Sequence, residues 1–459
     1  MAQPSNNLGT APIGKLMFKL AAPAIVAQII NALYNIVDRI YIGNIEGIGK
    51  TALTGVGLTF PVIILISAFA VLIGMGGAPI AAIRMGEKDN DTAETIMGNC
   101  LTLLVGIALV LTAFFLVFKR PLLYMFGASD DTIVYAENYL TIYVSGTLFV
   151  QLALGLNCFI TTQGFSTIGM LSVLIGAVLN IALDPVFIFA LGMGVEGAAI
   201  ATVISQACSA AFVVGFLLSR KSILRFRLRN LKIRWKLVAP ALALGLSPFI
   251  MQSTESLVNI TLNASLQHYG GDLYVGAMTI IGSVMQMFML PLQGLTQGAQ
   301  PIMSYNFGAR QFDRVKRTFR LLITCCLIFS CSICLFIELF PQVVISLFNS
   351  DPELVDVTVV CMRIYVAGIW AMGAQTACQQ SFVAIGQAKI SIFLALLRKI
   401  ILLIPLALIL PLFMGTYGVF TAEPIADLGA ATTTSIMFAI FFKRFLQKKA
   451  NEAIPADAQ

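Results

Sequence analysis

Apolar residues fall in long blocks separated by short polar breaks. Blocks long enough to cross a bilayer, which takes about 20 residues as a helix, lie at 16–42, 52–82, 95–118, 132–160, 169–191 and 197–218. A second set lies at 238–267, 274–306, 319–340, 354–383, 391–413 and 418–442. The pattern predicts an all-α membrane protein of about twelve transmembrane helices in two sets of six. The first block is not uniformly apolar. Gln28, Asn31, Asn35 and Asp38 recur at helical spacing and share one face, while the other faces are Ile, Ala, Leu and Val. Such a stripe at membrane depth faces a bundle interior or a water-filled cavity and marks an ion or substrate path.

The stripe occurs twice. Gln252, Glu255 and Asn259 repeat the spacing of Gln28, Asn31 and Asn35, 224 residues later. Other echoes keep nearly the same offset. Pro23-Ala-Ile answers to Pro248-Phe-Ile, and Gly77-Ala-Pro79-Ile to Gly298-Ala-Gln-Pro301-Ile. Gly164 answers to Gly386, and Gly194-x-x-Gly197 to Gly415-x-x-Gly418. Six helices is an even number, so both repeats start on the same side and are related by an axis along the membrane normal. The expected architecture is two pseudo-symmetric six-helix bundles around a central cleft. Residues 1–218 form an N-terminal lobe, 219–237 a basic cytoplasmic linker, 238–445 a C-terminal lobe and 446–459 a cytoplasmic tail.

Composition agrees with the pattern. Of the 459 residues 58% are hydrophobic and only 11% charged, against about 25% charged in a soluble domain. Basic residues set the orientation. Lys15, Lys19, Arg84, Lys88, the run from Arg220 to Lys236, Arg310 to Arg320, Lys389 and Lys443 to Lys449 gather on one side, whereas the opposite loops hold only Lys50, Lys119 and Arg120. Both termini are therefore expected in the cytoplasm. This topology also accounts for most of the net charge of +7, which leaves no case for a nucleic-acid partner. The linker run 219–236 is basic and punctuated by Leu, Ile and Phe, and is expected to lie along the anionic inner leaflet. The polar start, with its Pro and Gly, does not read as a cleavable signal peptide. The nine cysteines sit in apolar runs and read as small core residues. Gly-Lys-Thr at 49–51 lacks the glycine spacing of a nucleotide loop, so a carrier rather than an ATP-hydrolysing enzyme is expected.

Three places carry candidate chemistry. Asn180 and Asp184 stand one helical turn apart, directly before Pro185. Proline frees a backbone carbonyl at membrane depth, and carboxylate, amide and carbonyl together suit a hard cation or a proton. Glu255 lies deep in its segment and is a candidate proton acceptor and counter-charge for a cationic substrate. His268 is the only histidine and sits at a loop edge, so carboxylates must carry any protons. Met285, in a Met-rich stretch, is a candidate for a pocket that repacks around varied ligands.

These residues resemble the MATE (multidrug and toxin extrusion) family, in its bacterial DinF-like and MepA-like branch. The resemblance rests on P-x-I-x-x-Q and Y-N-I-V-D in the first segment and P-I-x-x-x-x-x-G ending the second. It also rests on N-I-A-L-D-P-V-F-I-F with G-M-G-V-E-G-A-A in the fifth and sixth, and Q-P-I-M-S-Y-N-F-G-A in the eighth. It covers about 15 to 445. It implies a multi-pass protein of a bacterial cytoplasmic (inner) membrane that exports small cationic amphiphilic drugs in exchange for H⁺ or Na⁺, as a monomer and with no other cofactor. It assigns Asp38, Asn180, Asp184 and Thr202 to the coupling site, with a monovalent cation at the first three. Tyr34, Tyr139 and Asn157 line the same cavity. With the two stripes, the expected substrate surface is Asn31, Tyr34, Asn35, Tyr139, Asn157, Gln252, Glu255, Asn259 and Met285. The NorM-like branch pairs a Glu of the seventh segment with an acid of the tenth. Glu255 fits the first, but the tenth segment has no acid after Asp356. Two alternatives stand beside this reading. A lipid-linked precursor flippase needs cleft arginines, for which Arg39, Arg363 and Arg398 are available. A non-transporting membrane scaffold is disfavoured by the acids in both halves.

Overall fold

The computed structural model describes residues 7–348 and 351–451. The first half contains α1 (Ile13–Gly43), α2 (Phe60–Gly86), α3 (Asn90–Met125), a bent α4 (Ile133–Ser145 and Thr147–Thr162), α5 (Ser166–Ala190) and α6 (Gly194–Leu218). The second contains α7 (Trp235–Gly270), α8 (Asp272–Gly308), α9 (Phe312–Leu339), a bent α10 (Pro352–Val366 and Ile369–Ala384), α11 (Ala388–Met414) and α12 (Thr416–Asn451). Ten of these are unbroken helices long and apolar enough to span, and the two bent pairs bring the number to 12. This is an all-α, multi-pass membrane fold.

The departures from the pattern have local causes. The block at 52–82 is a short helix, Gly49–Gly57, followed by α2. α4 turns by 55° at Gly146, and α10 by 43° at Ala367–Gly368. Asp89 caps α3 by accepting from the Thr92 amide at 3.1 Å, and the Thr92 hydroxyl and amide hold its carboxyl below the usual carboxylate range. Both α5 and α11 widen into a π turn, at Val186–Ala190 and Leu397–Leu403. Each lies beside a proline, Pro185 or Pro405, that cannot donate to the carbonyl four residues back. The last helix runs on to Asn451, past the boundary expected at 445. Residues 452–459 of the expected tail lie outside the described residues. Among the described residues all nine cysteines are free, and Cys208 and Cys331 are exposed, so these two stand on outer helix faces rather than in the core.

The two halves meet through α1, α2, α7 and α8. α2 crosses α7 where Gly76 faces Ala241 and Gly245 faces Leu72, and crosses α8 where Gly86 faces Tyr305 and Gly308 faces Ile83. At Gly245 and Gly308 a Cβ would overlap the facing carbonyl, so only glycine allows the approach. Gly294 and Gly298 of α8 pack the same way on Ile25 and Ala21 of α1. These contacts lie in the starting half of α1 and α7 and from the middle of α2 and α8 to their ends, toward the end of the molecule that carries the N-terminus. The N-terminal turn strengthens this end. Leu8 is buried, its carbonyl accepts from Asn306 and Arg314, and the Ala11 carbonyl accepts from Arg314. Leu16, Met17 and Leu20 join the hydrophobic core of the second half. Phe69 and Phe249 meet across the halves as tilted rings, 5.0 Å between centroids, one turn before Gln252.

The linker is not a free segment. It is bound into the first half. The Gln163 side-chain carbonyl accepts from the Ser222 hydroxyl and the Ile223 and Leu224 amides at 2.8–3.0 Å. Asn99 donates to the Asn230 and Lys232 carbonyls and accepts from the Arg234 amide. Glu94 accepts from the Arg225 amide and pairs with Arg227 at 2.9 Å. The basic side chains that suggested a lipid-facing segment flank a strap whose backbone is held by three buried side chains, Glu94, Asn99 and Gln163.

Candidate functional site

α5 positions the first group. Asn180 and Asp184 lie on one face just before the π turn, and they are 1% and 0% exposed. Asn180 Nδ2 donates to Asp184 Oδ1 at 3.1 Å and to Thr202 Oγ1 of α6 at 3.3 Å. The Thr202 hydroxyl in turn donates to the Ala198 carbonyl. Asp38 of α1 comes within hydrogen-bonding reach of Asp184. Tyr139, also buried, brings its hydroxyl to Thr202, and Tyr34 lies near both acids. Asp38 Oδ1, Asp184 Oδ2 and Asn180 Oδ1 are buried without a hydrogen-bond partner. Two carboxyls in contact in an apolar surround repel when both are charged. One proton or one monovalent cation between them removes that repulsion and satisfies the free oxygens.

A cavity beside this group is lined by Asn31, Tyr34, Asn157, Asn180, Thr202, Ser205, Gln206 and Ser209, with Ala177 among its apolar walls. Its volume of about 40 Å³ holds two or three water-sized guests, at roughly 15 Å³ each. That suits an ion and its waters and excludes a drug-sized molecule. Asn157 donates to the Gly169 carbonyl, while its Oδ1 stays free. Asn35 donates back to the Asn31 carbonyl on its own helix. The six residues Tyr34, Asp38, Tyr139, Asn180, Asp184 and Thr202 thus converge.

The second half is different. Glu255 of α7 forms an ion pair with Lys399 of α11 at 2.8 Å, with Lys399 buried and Glu255 half exposed. Next to it Arg398 binds Glu423 and Asp427 of α12. Sequence reasoning missed these two acids, although they stand one helical turn apart inside a spanning helix, which is itself a signal. It also missed the polar string of Ser247, Gln375, Gln379 and Ser391. Gln252 and Asn259 stay on the stripe with Glu255, with Asn259 exposed. Met285 packs against the core of the second half. Each of the three arginines that a flippase would need has a neighbour. Arg398 is paired, Arg39 lies over the Phe60 ring at 4.3 Å, and Arg363 sits near Glu338.

A model of the MatE family matches residues 23–186 and again residues 248–409. The chain belongs to the MatE family. The multidrug export protein MepA of Staphylococcus aureus (strain MSSA476) is 24% identical over 419 residues, which is 91% of either chain. The MepA of Staphylococcus haemolyticus (strain JCSC1435) is 25% identical over 417 residues, 90% of this chain and 91% of that one. A MATE crystal structure in the bent conformation superposes with a TM-score of 0.91 at 24% identity, over 97% of this chain and 98% of the other. An outward-facing multidrug resistance MATE family transporter of the MOP superfamily superposes with a TM-score of 0.89 at 23% identity, over 96% and 98%. At such identities the structures establish a common fold. In this MatE chain the converging carboxyls lie in the first matched unit and the Arg398 cluster spans the end of the second and α12, so the two units share a backbone plan but not a charge pattern.

Proposed function

We propose that this MatE chain is a multidrug exporter that exchanges cationic amphiphilic compounds for protons or sodium ions by alternating access. The observation that carries the reading is the contact between Asp38 and Asp184, two carboxyls on different helices, each with one buried oxygen left free. The names of the MepA relatives, multidrug export proteins, agree with it. Asp38, Asn180, Asp184 and Thr202 take the coupling ion. Substrate occupies the cleft between residues 1–218 and 238–445, against the stripes that carry Asn31, Asn35, Gln252, Glu255 and Asn259, with Tyr34, Tyr139 and Asn157 behind. The tight helix crossings hold the halves together at the end that carries the N-terminus, and the cleft of this reading opens at the other end. The bias of basic loops supports a cytoplasmic placement of the N-terminal end, and in a bacterial inner membrane this reading makes the state outward-facing. Ion and drug then compete through the equilibrium between states, and by linkage each weakens the other. The protein acts as a monomer.

The test is efflux of a cationic dye from proteoliposomes with Na⁺ and pH gradients imposed separately. One gradient should drive efflux. Asp38→Asn and Asp184→Asn should insert normally, since a neutral isostere removes a buried charge, yet lose the coupling of about 5–150-fold that such linkage carries. Wild-type efflux by both variants would remove the carboxyl pair from the mechanism.

A further inference from the structure

Glu423 and Asp427 are 6% and 1% exposed, and Arg398 between them is 5% exposed. Arg398 Nε meets Asp427 Oδ1 at 2.7 Å and a terminal guanidinium nitrogen meets Glu423 Oε1 at 3.1 Å. Each acid spends one oxygen on the arginine. Glu423 Oε2 and Asp427 Oδ2 are buried with no partner. The charged groups facing this cluster come from three helices: Glu255 from α7, Arg398 and Lys399 from α11, and Glu423 and Asp427 from α12. From α10 come the Tyr365 ring and the Met372 sulfur. Lys399 is taken up by the half-exposed Glu255, so the two buried carboxyls of α12 share one buried cation, Arg398. An unbalanced buried charge is costly, and the guanidinium between the acids repels a metal cation there.

The internal repeat says what this place is. The offset of 221 that equates Gly194-x-x-Gly197 with Gly415-x-x-Gly418 equates Thr202 with Glu423, Gln206 with Asp427 and Ala177 with Arg398. The offset of 224 equates Asn31 with Glu255. Asn31, Ala177, Thr202 and Gln206 all line the cavity of the first half. The cluster is that cavity's symmetry mate, filled by a guanidinium and lined by acids where the first half has neutral groups.

We propose that Glu423 and Asp427 are a second proton site, in which one exchangeable proton on the two carboxyls flanking Arg398 balances the buried charge. The inference rests on the transporter reading only for what the proton does. With the proton bound, Lys399 stays on Glu255 and the cleft face is neutral. When the proton leaves to water, Lys399, the next residue to Arg398, is drawn toward the acids of α12. Glu255 then faces the cleft as an unpaired anion and accepts a cationic substrate. Reloading the proton returns Lys399 to Glu255 and expels the cation. A static ion cluster has no proton to lose.

The test is infrared difference spectroscopy of the full chain in lipid nanodiscs as pH is raised. The Asp38→Asn/Asp184→Asn background removes the first-half pair, and exposed carboxyls are already ionised at neutral pH. A protonated-carboxyl band should be present at neutral pH and bleach at higher pH. Glu423→Gln leaves Asp427 alone with Arg398, so it is charge-balanced and should fold. In it the band should be lost. Lys399→Met removes a cation and should move the bleaching to higher pH. Absence of the band in the background variant, or a band unmoved by Glu423→Gln, overturns the proposal. A band that behaves as expected beside dye efflux indifferent to pH would leave the proton site standing and reject the proton-exchange reading.

Discussion

Asp184 and Glu255 are both carboxyls at membrane depth, and what stands across from each separates them. Asp184 meets another acid, Asp38, whereas Glu255 meets Lys399. The first was legible because Asn180, Asp184 and Pro185 lie within six positions, where helical spacing places side chains reliably. The second was not, because Glu255 and Lys399 are 144 residues apart and nothing local pairs them. The pair changes what Glu255 can do: a substrate cation has to displace an ammonium already 2.8 Å away. If Glu255 is the substrate anion, Lys399→Met should raise affinity for a monovalent cationic dye by roughly tenfold, about 1.4 kcal/mol, and Glu255→Gln should lower it. Neutral ligands should bind unchanged in both. Binding measured by dye polarisation checks this, and equal losses for charged and neutral ligands would make the pair structural.

At the scale of elements, twelve helices could be read off the apolar runs because lipid removes every other way of satisfying the backbone. The bends at Gly146 and Gly368 and the π turns could not, since each depends on which neighbour the helix meets. The linker is the clearest case. Its charge pattern suited a membrane surface, yet three buried side chains bind its backbone to α3 and α4. Gln163 is the main fastening, fully buried and accepting three hydrogen bonds on one oxygen. Gln163→Leu strands the Ile223 and Leu224 amides at about 1–3 kcal/mol each where no water replaces the bond, while the Ser222 hydroxyl keeps the Leu224 carbonyl at 2.6 Å. A loss of about 2–4 kcal/mol in unfolding equilibria measured in detergent is expected. Unchanged stability would show that the strap is held elsewhere.

For the whole molecule, the glycine crossings between α2 and α7 and between α2 and α8 hold the two halves together. Gly245→Leu places a side chain against Leu72 and should wedge the halves apart at the end that carries the N-terminus. Spin-label distances should lengthen across that end and shorten across the cleft mouth, while the same labels on a Gly282→Ala control, at a glycine with open space around it, should not move. Unaltered distances in Gly245→Leu would mean that this crossing does not hold the halves. The sequence by itself determined the membrane class, the helix number, the two-fold repeat and the Asn180–Asp184 group, because hydropathy, helical spacing and an internal offset are all local or periodic. Only the tertiary structure decided that Asp38 reaches Asp184, that Lys399 masks Glu255, and that Arg398 lies between Glu423 and Asp427. Each of these depends on which face of one helix lands against another. Lipid is as apolar as most of those faces, so burial alone does not choose among them. The choice falls to the close fit of glycine against backbone and to a few charges that must find partners.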